Sequence, residues 1–217
     1  MKRRIKLAIF DLDGTLVNAY RAVEESVNLT LRQLGYPPKS VATIKRTVGW
    51  GEVHLLGSFV DKKDLQRALV IYRRHHPAAL ARGTTLLPGA RRILKFLKGN
   101  NYRIAVASNR ATRFTRLILR HLEIVAYFDY VLCRDRVKRP KPYPDIVRGI
   151  LRHFALQPGQ AVFVGDMGVD IQAGKRAGVR TVAVTTGSNS RAELKKLKPD
   201  HLIPRIEQLK GILNGLS

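Results

Sequence analysis

Five short and almost wholly apolar runs, Ile5–Phe10, Arg103–Ala107, Tyr130–Cys133, Ala161–Val164 and Thr181–Val184, recur along the chain with helix-patterned segments between them. Runs of this length that do not alternate with polar residues read as strands buried on both faces, the condition of a parallel sheet covered by helices. The intervening segments carry apolar residues at helical spacing. Pro88-Gly89 opens one with Ala90, Ile93, Leu94 and Leu97 on one face and Gly99 as its stop. A second carries Phe114, Leu117, Ile118 and Leu122, and a third, after Pro144, carries Ile146, Val147, Ile150, Leu151 and Phe154. Such alternation predicts an α/β fold built on a doubly wound parallel sheet.

Residues 17–86 break the pattern, showing helical periodicity and no convincing strand. Tyr20, Val23, Val27, Leu31 and Leu34 form one stripe, ended by Gly35 and Pro37-Pro38. Leu65, Ala68, Leu69 and Tyr72 form another, with Asp61 as its expected N-cap and Pro77 as its expected stop. The expected organisation is a Rossmann-like core of residues 1–16 and 87–217, interrupted after its first strand by a small all-helical cap of residues 17–86.

The 217 residues suffice for a self-supporting core. Cys133 is the only cysteine, so the chain can form neither an internal disulfide nor a cysteine-rich zinc cluster, and a cytoplasmic setting is expected. Lys2, Arg3, Arg4 and Lys6 precede Leu7-Ala8-Ile9-Phe10, an apolar run too short for a signal peptide, and no stretch is long enough to span a membrane. Forty Lys and Arg against 16 Asp and Glu leave a net charge of +24. Spread evenly over a surface of roughly 10,000 Å², that is one net charge per about 400 Å², a spacing of about 20 Å against a Debye length of about 8 Å. Only local clusters, such as Arg113, Arg116 and Arg120 or Arg134, Arg136, Lys138 and Arg139, could then grip a polyanion, and weak, non-specific nucleic-acid binding is the expectation.

Two turns concentrate acid in this basic chain. Asp11-Leu12-Asp13-Gly14-Thr15 follows the first apolar run, and Gly165-Asp166-Met167-Gly168-Val169-Asp170 follows the fourth, so that four of the 16 acids share two strand ends. Each turn has an ordinary reading, as turn-forming Asp-Gly or as an acidic helix start. Together they suit an aspartate nucleophile, an acid/base two residues on, and a Mg²⁺ site of oxygen ligands. Clustered carboxylates facing an anionic substrate would also need a cation and hydrogen-bond donors. Lys141, on the Lys141-Pro142-Tyr143-Pro144 turn, and Ser108-Asn109, after the second run, could supply them. Alone, Lys141 reads as one more surface lysine and Ser108 as a helix cap.

In this order the motifs resemble those of the haloacid dehalogenase-like hydrolase superfamily. Asp11 through Thr15 looks like its first motif, Ser108 its second, Lys141-Pro142 its third, and Gly165-Asp166 through Asp170 its fourth. The resemblance implies Asp11 as nucleophile, Asp13 as general acid/base, Ser108 as a phosphate ligand, and Lys141 as the cation that neutralises the phosphoryl group and orients Asp11. It also implies a Mg²⁺ site at Asp166 with help from Asp170. The full expected sets are Asp11, Asp13, Asp166 and Asp170 for metal, and Thr15, Trp50, Ser108, Asn109 and Lys141 for substrate. Asp13 argues against dehalogenation, because that branch lacks the second aspartate.

Val48-Gly49-Trp50-Gly51-Glu52, Leu87-Pro88-Gly89 and Ser108-Asn109-Arg110 are similar to phosphoglycolate phosphatase-like members. Asn18, where many relatives carry an acid, and bulky Trp50 depart from them, and both bear on the cap's contact with substrate. Trp50 reads either as a lid over the substrate or as an anchor in the cap core. The leading expectation is a Mg²⁺-dependent phosphatase acting on a small phosphorylated metabolite through an aspartyl-phosphate, with phosphoglycolate as first candidate. The alternatives are a sugar-phosphate mutase of the same superfamily and a nucleic-acid-associated protein or 3′-end phosphatase.

Overall fold

In the computed structural model of the protein, which describes residues 4–215, the first apolar run forms strand β1 (Leu7–Phe10), whose four side chains are all fully buried. Lys2 and Arg3 of the basic amino-terminal run lie outside the described residues. A short β2 (Val17–Asn18) leads into helices α1 (Tyr20–Gln33), α2 (Val41–Thr47), α3 (Glu52–Gly57) and α4 (Leu65–Gly83), and β3 (Thr85–Leu86) returns to pair antiparallel with β2. The chain continues through α5 (Ala90–Gly99), β4 (Arg103–Ser108), α6 (Thr112–His121), β5 (Tyr130–Cys133) and α7 (Asp145–His153). It ends with β6 (Ala161–Gly165), α8 (Gly168–Ala177), β7 (Arg180–Val184), α9 (Arg191–Lys196), β8 (His201–Ile203) and α10 (Leu209–Asn214).

Six strands form one parallel sheet in the order β5-β4-β1-β6-β7-β8. From β1 the chain winds outward to β4 and β5, then crosses back to β6 and winds the other way. The strand order therefore reverses at β1, and a crevice opens at its carboxyl end, the place where such sheets bind ligands. Strand side chains alternate between two cores. Ala8, Phe10, Ile104, Val106, Val162 and Val164 pack with Leu94 and Leu97 of α5 and Ile118 of α6. Leu7, Ile9, Ala105 and Phe163 pack on the opposite face with Ile146 and Ile150 of α7 and Ala173 of α8.

The helical region of residues 17–86 departs from the sequence expectation in three ways. The β2–β3 pair ties its entry to its exit, a ladder of two residues a side and too short to register as alternation. Helix α4 also continues through Pro77 to Gly83 instead of stopping there. Proline removes one backbone donor. Yet Ala68, Leu69, Tyr72, His76, Ala79 and Leu80 continue one buried face across it, and that burial against α1 outweighs the lost bond. Asp61 starts a single tight turn at 62–64, with no side-chain capping bond. Strand β8 at the sheet edge, with His201 and Leu202 half-buried and only Ile203 buried, is also absent from the sequence expectation. No helix among the described residues is long and apolar enough to cross a membrane.

Candidate active site

Register brings the motifs together. Phe10 pairs with Val106 on one side and Val164 on the other, so Asp11, Ser108 and Asp166 emerge at neighbouring levels of three adjacent strands. Gly14 turns the chain back after Asp13 with a φ of 81°, and a Cβ there would lie 2.5 Å from Asp166 Oδ2. The turn therefore needs glycine both for its dihedral and for the approach of the second carboxylate.

Oxygens of Asp11, Asp166 and Asp170, all buried, lie within 4.8 Å of one another. Lys141 Nζ donates to Asp11 Oδ1 at 2.6 Å, to Asp170 Oδ1 at 2.7 Å and to the Ala107 carbonyl at 2.8 Å. All three ammonium donors are thus used. Asp170 Oδ2 accepts from the Met167 amide, and Asp166 accepts from Thr15 Oγ1 at 3.0 Å and the Ser188 amide at 2.9 Å. Asp11 Oδ2 accepts no hydrogen bond among the described residues.

Burial dominates the electrostatics. It pushes the Asp11 carboxyl up to about 7, against the opposing pull of Lys141, and Asp170 raises it further. Asp166 is raised well above the usual carboxylate range by burial and then by Asp11 and Asp170. Lys141 is held above the ordinary lysine value because its two carboxylate partners outweigh its own desolvation. One ammonium therefore faces three carboxylates, a set short of positive charge.

The other predicted residues divide. Ser108, buried on the cavity wall, accepts the Arg110 amide at 3.1 Å, which leaves its hydroxyl proton for another acceptor. Asn109 is occupied in binding Lys141 through the backbone in both directions, and it donates to Gly49 O of the cap at 2.9 Å. Thr15 spends its hydroxyl on Asp166 and lies outside the cavity wall. Asp13, expected among the metal ligands, stands apart from the three-carboxylate group. Arg110 grips it from Nε at 2.9 Å and Nη2 at 2.8 Å, and this two-pronged bond holds its side chain toward the cap. Asn18 is exposed and caps its own turn, accepting from the Tyr20 amide. Trp50 is 42% exposed, is not buried in the cap core and is not among the residues that wall the cavity.

Arg110, which joins Asp13 to His76 of the cap, entered the sequence reading only as part of a three-residue similarity. The cavity above these groups is walled by Val23, Val48, Leu55 and Tyr72 of the cap and by Ala111 and Phe114 of the core, with Glu52 at its side. The cavity has a volume of about 60 Å³. That suits a small molecule.

The haloacid dehalogenase-like hydrolase profile matches residues 8–184. A phosphoglycolate phosphatase of Nitrosospira multiformis is 31% identical over 98% of this chain and 97% of its own. One from Aquifex aeolicus is 28% identical over 97% and 98%. A crystal structure described as a predicted phosphoglycolate phosphatase from Haemophilus somnus 129PT superposes with a TM-score of 0.91 at 26% identity, covering 98% of this chain and 99% of that one. With a profile match across most of its length and relatives aligned end to end, this chain belongs to the haloacid dehalogenase-like hydrolases, in their phosphoglycolate phosphatase-like branch, and is a phosphoric monoester hydrolase.

Proposed function

We propose that the protein hydrolyses a small phosphomonoester through an aspartyl-phosphate on Asp11, with Mg²⁺ as cofactor and phosphoglycolate as the first substrate to test. The observation that carries this reading is the state of Asp11. One oxygen is pinned by Lys141 and the other is left without a hydrogen bond at the foot of a small cavity.

The three clustered carboxylates fit a magnesium ion. They offer hard oxygen donors, they are packed more closely than like charges tolerate without a counterion, and Lys141 balances only part of their charge. Asp11, Asp166 and Asp170 would hold it. When bound, the ion supplies positive charge to the phosphoryl oxygens and to the carboxylates around them.

The chain's own residues perform the rest. Asp11 Oδ2 attacks phosphorus in line with the ester bond, which breaks as the aspartyl-phosphate forms. Asp13 gives a proton to the departing oxygen and then takes one from the water that attacks the phosphoenzyme, releasing phosphate and restoring Asp11. Lys141 holds the nucleophile by Oδ1, and the Ser108 hydroxyl donates to a phosphoryl oxygen. The cap wall excludes bulk water and selects the leaving group.

A cytoplasmic setting belongs to the same reading, supported by the single buried thiol of Cys133. Weak nucleic-acid contact on the exposed Arg113, Arg116 and Arg120 stripe is a side effect of charge in this view.

The test is a phosphate-release screen over phosphorylated metabolites with Mg²⁺ and no sugar bisphosphate. Release from a small ester, lost in EDTA, supports the reading. Isomerisation of a sugar phosphate without release, or release confined to polynucleotide ends, overturns it.

A further inference from the structure

Helix α4 carries a buried histidine that the reaction above does not use. The His76 ring stacks on Tyr72 with centroids 4.4 Å apart and meets the edge of Phe114 at 4.9 Å. Its Nε2 lies 2.7 Å from Arg110 Nη1 and 3.0 Å from the Tyr72 hydroxyl, and its Nδ1 lies 2.9 Å from Ser26 Oγ. A guanidinium has donors only, so Nε2 must present its lone pair. The ring proton then sits on Nδ1 and goes to Ser26 Oγ, whose own hydroxyl donates to Ala22 O at 2.9 Å. The hydrogen bonds therefore select one neutral tautomer. Burial, with Arg110 and Arg113 nearby, also holds the imidazole well below its ordinary value.

The same guanidinium reaches Asp13 along its other edge, through Nε and Nη2. Because the group is planar and rigid, fixing Nη1 sets where the fork facing Asp13 can lie. Both Asp13 oxygens accept from it, and each keeps a second lone pair for the cavity. A continuous chain thus runs from Ser26 on α1 through His76 on α4 and Arg110 in the core to Asp13. An apolar side chain of similar size at position 76 would fill the space without directing anything.

We propose that His76 is a positioning residue for the phosphatase reaction, receiving Arg110 on Nε2 so that Arg110 aims the Asp13 carboxylate at the leaving-group oxygen. The inference rests on Asp13 being the acid/base of the proposed function.

The test compares His76→Leu, His76→Gln and Asp13→Asn on an alkyl phosphate and on p-nitrophenyl phosphate, whose leaving group needs no proton, with single-turnover leaving-group release, kcat, KM and Tm measured for each. His76→Leu is expected to lose kcat on the alkyl ester by on the order of ten- to a hundredfold, the scale of misplacing a reacting group by about 1 Å. KM and the single-turnover release of p-nitrophenol, which precedes the water step that Asp13 also serves, should change little. His76→Gln, whose amide oxygen can accept from Arg110, should recover most of the loss. Equal losses on both esters that track Tm, or a folded Gln variant no better than Leu, would overturn the inference. If His76→Leu does not fold, Ser26→Ala, which strips the Nδ1 partner, should show a smaller loss with the same leaving-group bias. Wild-type behaviour there also overturns it. Asp13→Asn separates the two levels: no leaving-group bias in the single-turnover release step of that variant defeats the acid/base reading itself, whereas bias there without bias at His76 defeats only the positioning role.

Discussion

The core and the cap wall the same cavity under different constraints. On the core side, Asp11, Ser108 and Asp166 leave the ends of three adjacent parallel strands, so backbone register fixes their spacing before any side chain packs. On the cap side, Val23, Val48, Leu55 and Tyr72 come from α1, the end of α2, α3 and α4, which no shared strand register spaces and whose relative placement depends chiefly on side-chain contacts. In the proposed reaction, chemistry that tolerates little displacement would stand on the sheet, and the surface that would choose the leaving group on elements not held by strand register.

The largest expected effect is on the core side. Asp11→Asn removes the proposed nucleophile with little change in shape, and steady-state phosphate release should fall by more than about a thousandfold with Tm near wild type. Turnover close to wild type would end the comparison, because the sheet ends would then not hold the chemistry. Lys141→Met should cost both activity and stability. It removes the ammonium between Asp11 and Asp170 and leaves buried carboxylates uncompensated, a loss of about 3–5 kcal/mol by denaturant titration without metal. The cap counterpart, Leu55→Ala, should instead reorder substrates while sparing a small aryl phosphate.

Metal and pH sharpen the electrostatic half. Asp11 rises on folding from 3.8 to about 7, and Asp166 rises with it, chiefly through burial. Acids whose folded values are raised add stability that is complete below their unfolded value and is lost as pH climbs to the folded one. The metal-free protein should therefore lose this contribution between about pH 4 and about pH 7. A cation at the cluster restores it, so the Tm gain from Mg²⁺ should be small near pH 5 and large near pH 8, about 2.7 kcal/mol at a hundredfold excess over Kd. Equal gains at both pH values would show that the cluster does not hold the ion.

The same contrast explains what was legible in the sequence. Asp11, Asp13, Asp166 and Asp170 follow strands within a few residues, so a local pattern of apolar run and polar turn exposes them, while Lys141, eight residues past β5, is marked by its proline-flanked turn. The Arg110 bonds to Asp13 and His76 span 97 and 34 residues and leave no periodic trace. One signal was present. Tyr72, His76, Ala79 and Leu80 continue the helical stripe of Ala68 and Leu69, and a histidine on an apolar face asks for partners. Ending the helix at Pro77 cuts off Ala79 and Leu80, leaving His76 in the last turn with no apolar neighbour beyond it.

The smallest expected effect tests the cap's least committed residue. Trp50 has one ring neighbour, His54, at 5.8 Å, and its carbonyl is bound by Arg134 Nη1 at 2.8 Å. The cavity instead uses the glycines on either side, Gly49 and Gly51, whose φ values of 109° and 88° bring the backbone inward, with Gly49 O tied to Asn109. The contact that matters belongs to the main chain, which an alanine at position 50 preserves. Trp50→Ala should accordingly change kcat, KM and substrate ranking by less than about twofold, the range of an ordinary surface substitution. A selective rise in KM for one metabolite, with aryl-phosphate turnover unchanged, would place the indole over bound substrate and restore the lid reading.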